Sequence, residues 1–402
     1  MANTLLTPTA VTREALRILH QKLTFVGSIN RQYDDSFAVS GGKIGDSLKI
    51  RLPNKYTVRT GRAINVQDTA EESVTLQVAT QKGVDTGFTS ADLTLSLDDF
   101  SDRVLEPAMS VLAANIESDA LSMYKDVYNE VSDVGAAITF RDTLVASQKL
   151  EDNLTPKGND RYVCMNTTDN VELVDSLKGL FQDSKAIAMQ YREGYLGRTA
   201  GFMWTENTLL PIHTTGTDDG TGDYLVNGAS QTGASITVDT GTGTFKKGDI
   251  IFIDGVYRVH PETKVSTGKL QQFVVTSDVA TSATSIPISP SITVSGAKQN
   301  VSGSPANNAA VYKRESDEST AVAASADYTI SLAHHKDAFT FATADLVMPK
   351  GVDFSAREVM DGISMRIVRQ YDINNDNLPC RIDVLYGYKT IRPELACRLG
   401  FN

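Results

Sequence analysis

"FKKGDIIFIDGVYRV", residues 245–259, is dense, apolar and alternating, and Gly248 and Gly255 punctuate it. It is framed by "TTGTDDGTGD" (214–223) and "SGAKQNVSGSPANNAA" (295–310), which carry turn residues and little else. From 213 to 333 the composition is dominated by Gly, Ser, Thr, Asn, Asp and Val. The alternation predicts strands at 234–239, 249–260, 270–276 and 284–294, in a small, barrel-like all-β unit. The chain on either side reads differently.

Toward the N-terminus, "TREALRILHQKLT" (12–24) places Ala15, Leu16, Leu19 and Leu23 at helical spacing. A helix this short is marginal alone and needs a partner, either the chain's own body or another subunit. "DSLKIRLPNKYTV" (46–58) and "ESVTLQVAT" (72–80) alternate as two strands. Between them runs a polar connection with "RTGR" at 59–62, too long for a tight turn, so an extended two-stranded arm is expected. Leu97, Phe100, Val104, Ala108, Leu112, Ile116, Ala120, Tyr124, Val127 and Val131 keep three-or-four spacing. They predict a helix over 97–131, broken or kinked at Pro107 and then continuous for about 25 residues.

Downstream, "RDTLVASQKLEDN" (141–153) reads as a helix, "RYVCM" (161–165) as a strand and "TTDNVELVDSLKGLF" (167–181) as a capped helix. Beyond the β-unit, "MRIVRQYDI" and "CRIDVLYGYK" predict paired antiparallel strands. The β-unit is therefore read as an insertion into one α+β body. Insertions are tolerated at surface loops, where the two ends of the break lie close.

The composition excludes several classes. Of 402 residues, 41% are hydrophobic and 22% charged, ordinary for a soluble chain of two or three domains. No apolar run suits a membrane helix, and the N-terminus lacks the features of a signal peptide, so the cytoplasm is the expected site of synthesis and assembly. The net charge of −11 argues against coating nucleic acid by neutralising phosphates. Residues 1–60 hold nine Lys/Arg and four Asp/Glu, so a basic front precedes an acidic body. Cys164, Cys380 and Cys397 are far apart and read as buried thiols.

No phosphate-binding loop, zinc-protease motif or nucleophile elbow is present. His334 and His335 would face opposite sides of a strand, which makes them poor joint metal ligands. His260 and Glu262 share a side only if a strand runs through Pro261. "NNDN" (374–377) lacks the spaced carboxylates of a calcium loop and reads as a turn. The sequons at Asn166 and Asn300 read as chance matches. No catalytic, metal or cofactor site is expected, and the chain is not read as an enzyme.

"REGYLGRTAGF" (192–202), "DAFTFATADLVMP" (337–349) and "MRIVRQYDINNDNLPCRIDVLYGYKTIRPELACRL" (365–399) resemble the major capsid (coat) proteins of short-tailed double-stranded-DNA bacteriophages, in the branch with an inserted β-barrel domain. The resemblance implies an α+β Hong Kong 97 phage capsid fold. It would divide the chain into an N-terminal arm (1–45), an extended β-loop (46–90), a peripheral domain with the spine helix (91–134) and an axial domain (135–212). The inserted β-barrel (213–333) would follow, then a return to the axial domain and the C-terminal peripheral strands (334–402). It implies self-association into hexamers and pentamers, a scaffolding protein, a portal protein, and packaged DNA touched without sequence-specific binding. It places the chain in the virion capsid, with no cofactor and no membrane.

On this reading Arg59 and Arg62, at the tip of the extended loop, would meet acidic groups on a neighbouring copy. Glu14 and Arg17, on one face of the terminal helix, would contact scaffold or another subunit. The arm and terminal helix would bury their apolar faces only in the assembly. Two alternatives stay open: an encapsulin-like compartment shell, and a multi-domain β-rich binding protein or hydrolase.

Overall fold

The computed structural model describes residues 8–34, 47–64, 66–67, 71–88, 104–177, 197–239, 241–352, 354–360, 362–373 and 378–401. The chain forms two compact units, each assembled from separated segments. The first comprises Met1–Leu52, Ser73–Leu121 and Phe339–Ile391. The second comprises Pro53–Glu72, Ser122–Ala338 and Arg392–Asn402.

The first unit is built on the long strand Leu378–Thr390. It pairs antiparallel with Thr80–Phe88, Phe339–Ala344 and Ile363–Arg369, and the last of these pairs with Phe354–Met360. Asn30–Asp34 adds to Phe339–Ala344 in parallel. The predicted pairing of 365–373 with 380–389 is present, with Ile367 opposite Ile382. The two-stranded arm is present as Ser47–Arg51 and Ser73–Gln77, with Leu48 opposite Leu76. Leu76 and Val78 pack with Ala342, Ala344 and Leu385. Thr80–Phe88 was not expected as a strand: "TQKGVDTGF" lacks apolar alternation, and its partner lies some 300 residues away in sequence.

Helices α1 (Pro8–Lys22), α2 (Phe25–Ser28) and α3 (Glu106–Leu121) cover this sheet. Ala15, Leu16 and Leu19 are buried on the unit's own strands and on α3. This corrects the expectation that the terminal helix buries its face only in an assembly. Fully burying each of the two leucines contributes about 1.5–3 kcal/mol, which helps hold a helix that is marginal alone.

The spine helix differs from the expectation at its C-terminal end. Val104 and Leu105 lie in π-helical geometry and Pro107 falls in the first turn of α3, so the regular helix begins at the expected break. Helical geometry ends at Leu121 and tightens into a 3-10 turn over Ser122–Asp126. Residues 97–103 lie outside the described residues, as do 192–196 and the "NNDN" turn.

In the second unit, one sheet runs in the order Glu130–Ser132, Ala396–Phe401, Asp327–His335, Arg161–Met165, Phe202–Glu206 and Arg198–Thr199. Ile212–Thr214 also pairs with Asp327–His335. Helices α4 (Phe140–Asp152) and α5 (Thr167–Leu177) flank it. α4 opens with a capping box: Thr139 N–H donates to Asp142 Oδ2 at 2.9 Å. Ala146, Leu150, Leu173, Val163, Trp204 and Leu399 share its core. Cys164, Cys380 and Cys397 are buried thiols, as expected.

The β-unit is a second sheet, ordered Tyr224–Leu225, Ala310–Tyr312, Ile250–Ile253, Phe273–Val275, Ser285–Ile292 and Gly233–Thr237. The first and last strands meet through a Val226–Val238 bridge, with Asp239 N–H on Leu225 O at 2.7 Å and Asn227 N–H on Thr237 O at 3.0 Å. The sheet is therefore closed, and Phe245, Ile251, Phe273, Ile286 and Val311 help fill its interior. The expected strand 249–260 is two strands, Ile250–Ile253 and Tyr257–Val259, because the chain turns at Gly255, whose φ of 75° suits glycine. Likewise 270–276 divides: Ser266–Leu270 forms a hairpin with Tyr257–Val259, and Phe273–Val275 stays in the barrel.

Candidate assembly surfaces and the root of the β-unit

The chain enters the β-unit through Ile212–Thr214 and leaves it into Asp327–His335. These strands lie side by side, with His213 opposite Tyr328. Entry and exit are neighbours in one sheet, as an insertion requires.

A buried polar network sits at this root. Asp249 is fully buried in the stretch quoted at the outset. Its Oδ2 accepts the N–H groups of Gly216 at 2.9 Å and Lys246 at 2.8 Å, and its Oδ1 accepts His213 Nε2–H at 2.8 Å. With Nε2 donating, Nδ1 of a neutral ring accepts the Tyr124 hydroxyl at 3.1 Å. Burial pushes that phenol up to about 12, so it stays a donor.

Beside it, Arg398 is 0% exposed. It pairs with Glu130 Oε2 at 2.5 Å and donates to Gly248 O at 2.8 Å. Burial alone would lower the guanidinium's pKa; Glu130 and the phenols of Tyr328 and Tyr124 reverse that, so Arg398 is held charged. The network joins the β-unit through Asp249 and Gly248 to the C-terminal strand and the turn after α3. A Cβ on Gly248, at φ 104°, would meet His213 Cε1 at 3.1 Å. The root thus fixes the β-unit against the seven-stranded sheet through directional bonds, where an apolar contact alone would allow sliding.

The loop 53–72 is the most exposed apolar feature described. Val58 is 96% exposed, Val66 85%, Ile64 83% and Tyr56 59%. Gln67 clasps the loop: its Oε1 accepts Thr57 N–H at 2.8 Å and its Nε2 donates to Thr57 O at 2.6 Å. Arg59, predicted to reach a neighbour, folds onto its own turn and donates to Gly61 O and to Ala63 O at 3.0 Å. Arg62 is exposed at the same tip.

Glu14 and Arg17 are brought together on α1. Arg17 Nε donates to Glu14 Oε2 at 3.0 Å and Nη2 to Oε1 at 2.5 Å, which pulls the guanidinium's pKa up. Solvent screens so exposed a pair, which leaves it a small stabilising role.

Two features were missed from sequence. Tyr56 and Val58 close the stretch read as the first strand, and Ile64 and Val66 lie in the connection read as polar; their alternation was the available signal. The root network had no local signal, because its members are spread from Tyr124 to Arg398. His334 stacks on Tyr162 at 5.9 Å and His335 Nδ1 accepts the N–H of Asp337 at 3.2 Å, so both serve packing. Among the described residues no His, Cys, Asp and Glu cluster is arranged to hold a metal.

The sequence profile of the family described as "P22 coat protein - gene protein 5" matches residues 38–399. Among solved structures the chain is similar to one of Mycobacterium phage Che8, at 13% identity over 94% of this chain and 90% of that chain, with a TM-score of 0.45. It is similar to the capsid structure of cyanophage P-SCSP1u at 10% identity, over 93% of this chain and 86% of that chain, with a TM-score of 0.43. Similarity to the "CUS-3 coat protein I-domain" covers 23% of this chain and 94% of that chain, at 30% identity and a TM-score of 0.18. Comparison with curated proteins gives no match.

Proposed function

This chain belongs to the P22 coat protein family, and we propose that its copies are joined through the loop 53–72, which lays Tyr56, Val58, Ile64 and Val66 on a neighbouring copy. The protein is a structural, self-assembling capsid protein of a double-stranded-DNA phage, with an HK97-like α+β fold and an inserted β-rich domain. It builds an icosahedral shell and resides in the virion capsid. The family match favours the capsid reading over the two left open by the sequence, the compartment shell and the multi-domain β-rich binding protein or hydrolase.

The exposure of those four apolar side chains on one clasped loop carries the proposal. Apolar surface of this kind, unsupported by its own unit, marks a contact made elsewhere. Arg62 at the tip supplies a positive charge for acidic groups on the neighbour, and Arg59 joins it by exchanging its carbonyl partners for a carboxylate. The Glu14–Arg17 pair on α1 offers a second, weaker contact, for a scaffolding protein or another subunit. Assembly around a scaffolding protein in the host cytoplasm, with a portal at one vertex, completes the proposed sequence. In it the arm, extended loop, peripheral, axial and inserted segments carry the boundaries given above.

The test is charge reversal at the tip. Arg59→Glu with Arg62→Glu is expected to leave a folded monomer that assembles poorly with its scaffolding partner. Normal shells from the double variant would reject the contact.

A further inference from the structure

Glu117 lies on the buried face of α3 and is 2% exposed. Its Oε1 accepts the N–H of Phe25 at 2.9 Å and the Thr24 hydroxyl at 3.4 Å. Phe25 is the first residue of α2, so this carboxyl group from α3 caps the turn that directly follows α1. Its Oε2 is buried without a hydrogen-bond partner. Phe25, Val26 and Ile29 around the turn are fully buried, and the Phe25 ring packs edge-on against Phe339 at 5.7 Å.

The charged groups on the packed elements are engaged elsewhere. Lys22 meets Glu106 at 3.3 Å, Arg13 meets Glu358 at 3.7 Å, Arg17 meets Glu14, and Lys82 meets Asp119 at 2.7 Å. Glu117 is thus a buried acid with one oxygen satisfied, one oxygen orphaned, and no cation bonded to it among the described residues.

We propose that Glu117 is a proton-operated latch: protonated, it seats α2 and with it α1 on α3; ionised, it lets them lift away. The physical reason is the orphan oxygen. A proton removes its charge, whereas an ionised carboxylate held here lacks the donors that water would give it, and lifting α2 admits that water. Burial pushes the carboxyl up to about 7, and the N–H groups of Phe25, Val26 and Thr24 do not compensate. The folded-state value exceeds the ordinary one, so the folded form binds more protons between about 4.5 and 7. The stabilisation is complete below that window and is lost as pH rises through about 7. Lifting α1 uncovers Ala15, Leu16 and Leu19, which the seated helix keeps buried. The latch therefore sets whether the N-terminal helices stay seated on their own unit, independently of how the loop 53–72 is used.

Hydrogen exchange of the full chain, corrected for intrinsic rates and compared at about pH 6 and about pH 8.5, tests this. Amides of α1 and α2 are expected to lose protection about tenfold at the higher pH, while those of α4 hold. In Glu117→Gln the two values should agree. Equal protection of α1 and α2 in the wild-type chain at both pH values overturns the proposal, as does an undiminished slope in the variant. Should the variant not fold, a carboxyl-carbon titration of the wild-type chain decides. A Glu117 midpoint near 7 sustains the latch, and one below about 5 removes it.

Discussion

His213 and Asp249 bond at 2.8 Å across the root of the β-unit, one on the strand that enters it and the other within its densest apolar stretch. Asp249 gathers three donors, two of them buried. Asp249→Ala leaves all three without an acceptor and is expected to destabilise the chain by about 3–5 kcal/mol. Urea unfolding followed by circular dichroism measures it. A loss under about 1 kcal/mol would show that water or a neighbouring group replaces the carboxylate.

Arg398 and Glu130 form a pair whose members are both buried. Arg398→Met strands an uncompensated carboxylate and is expected to cost about 3–5 kcal/mol. Adding Glu130→Met should recover part of that loss, because two apolar groups leave no charge buried. A double-mutant cycle in urea gives the coupling. Additive losses would mean that the two side chains act independently.

Acid should weaken the second unit through His334. Burial first, then the nearby His335, pulls its imidazole down to about 3. The folded value lies below the ordinary one of about 6.5, so the unfolded chain binds the extra proton. Stability from this group is present above about 6.5 and is lost as pH falls toward about 3, by up to about 1.4 kcal/mol per pH unit. His334→Phe keeps a ring against Tyr162 and should flatten the dependence between about pH 6 and pH 4. An unchanged slope would assign the acid sensitivity to other groups.

Val58→Ser with Ile64→Ser changes side chains that their own unit barely touches. The unfolding midpoint should stay near wild type, while assembly, followed by light scattering, slows severalfold or stops. Wild-type assembly would remove the loop's apolar face from the account.

Much of this was legible beforehand because it rests on local periodicity. The helices around Leu16, Ala146 and Val171 and the strands at Val74, Val163 and Ile367 fall where their spacing placed them. Errors arose where tertiary partners decide. Thr80–Phe88 is a strand because it lies beside Leu378–Thr390, not because of its own composition. The helix expected to run on to Val131 leaves α-geometry at Leu121. Of the candidate contacts, Glu14 and Arg17 were placed on one face and do meet. Arg59 stays exposed and bonds its own turn, because a long side chain beside Gly61 finds carbonyls there. Residues brought together across the fold, such as Tyr124, His213 and Arg398, leave no mark in any short window.

Electron microscopy of the purified chain, expressed with and without a scaffolding partner, tests the central claim most directly. The account predicts uniform closed shells with the partner and irregular or open ones without it. Monodisperse monomers under both conditions would contradict it.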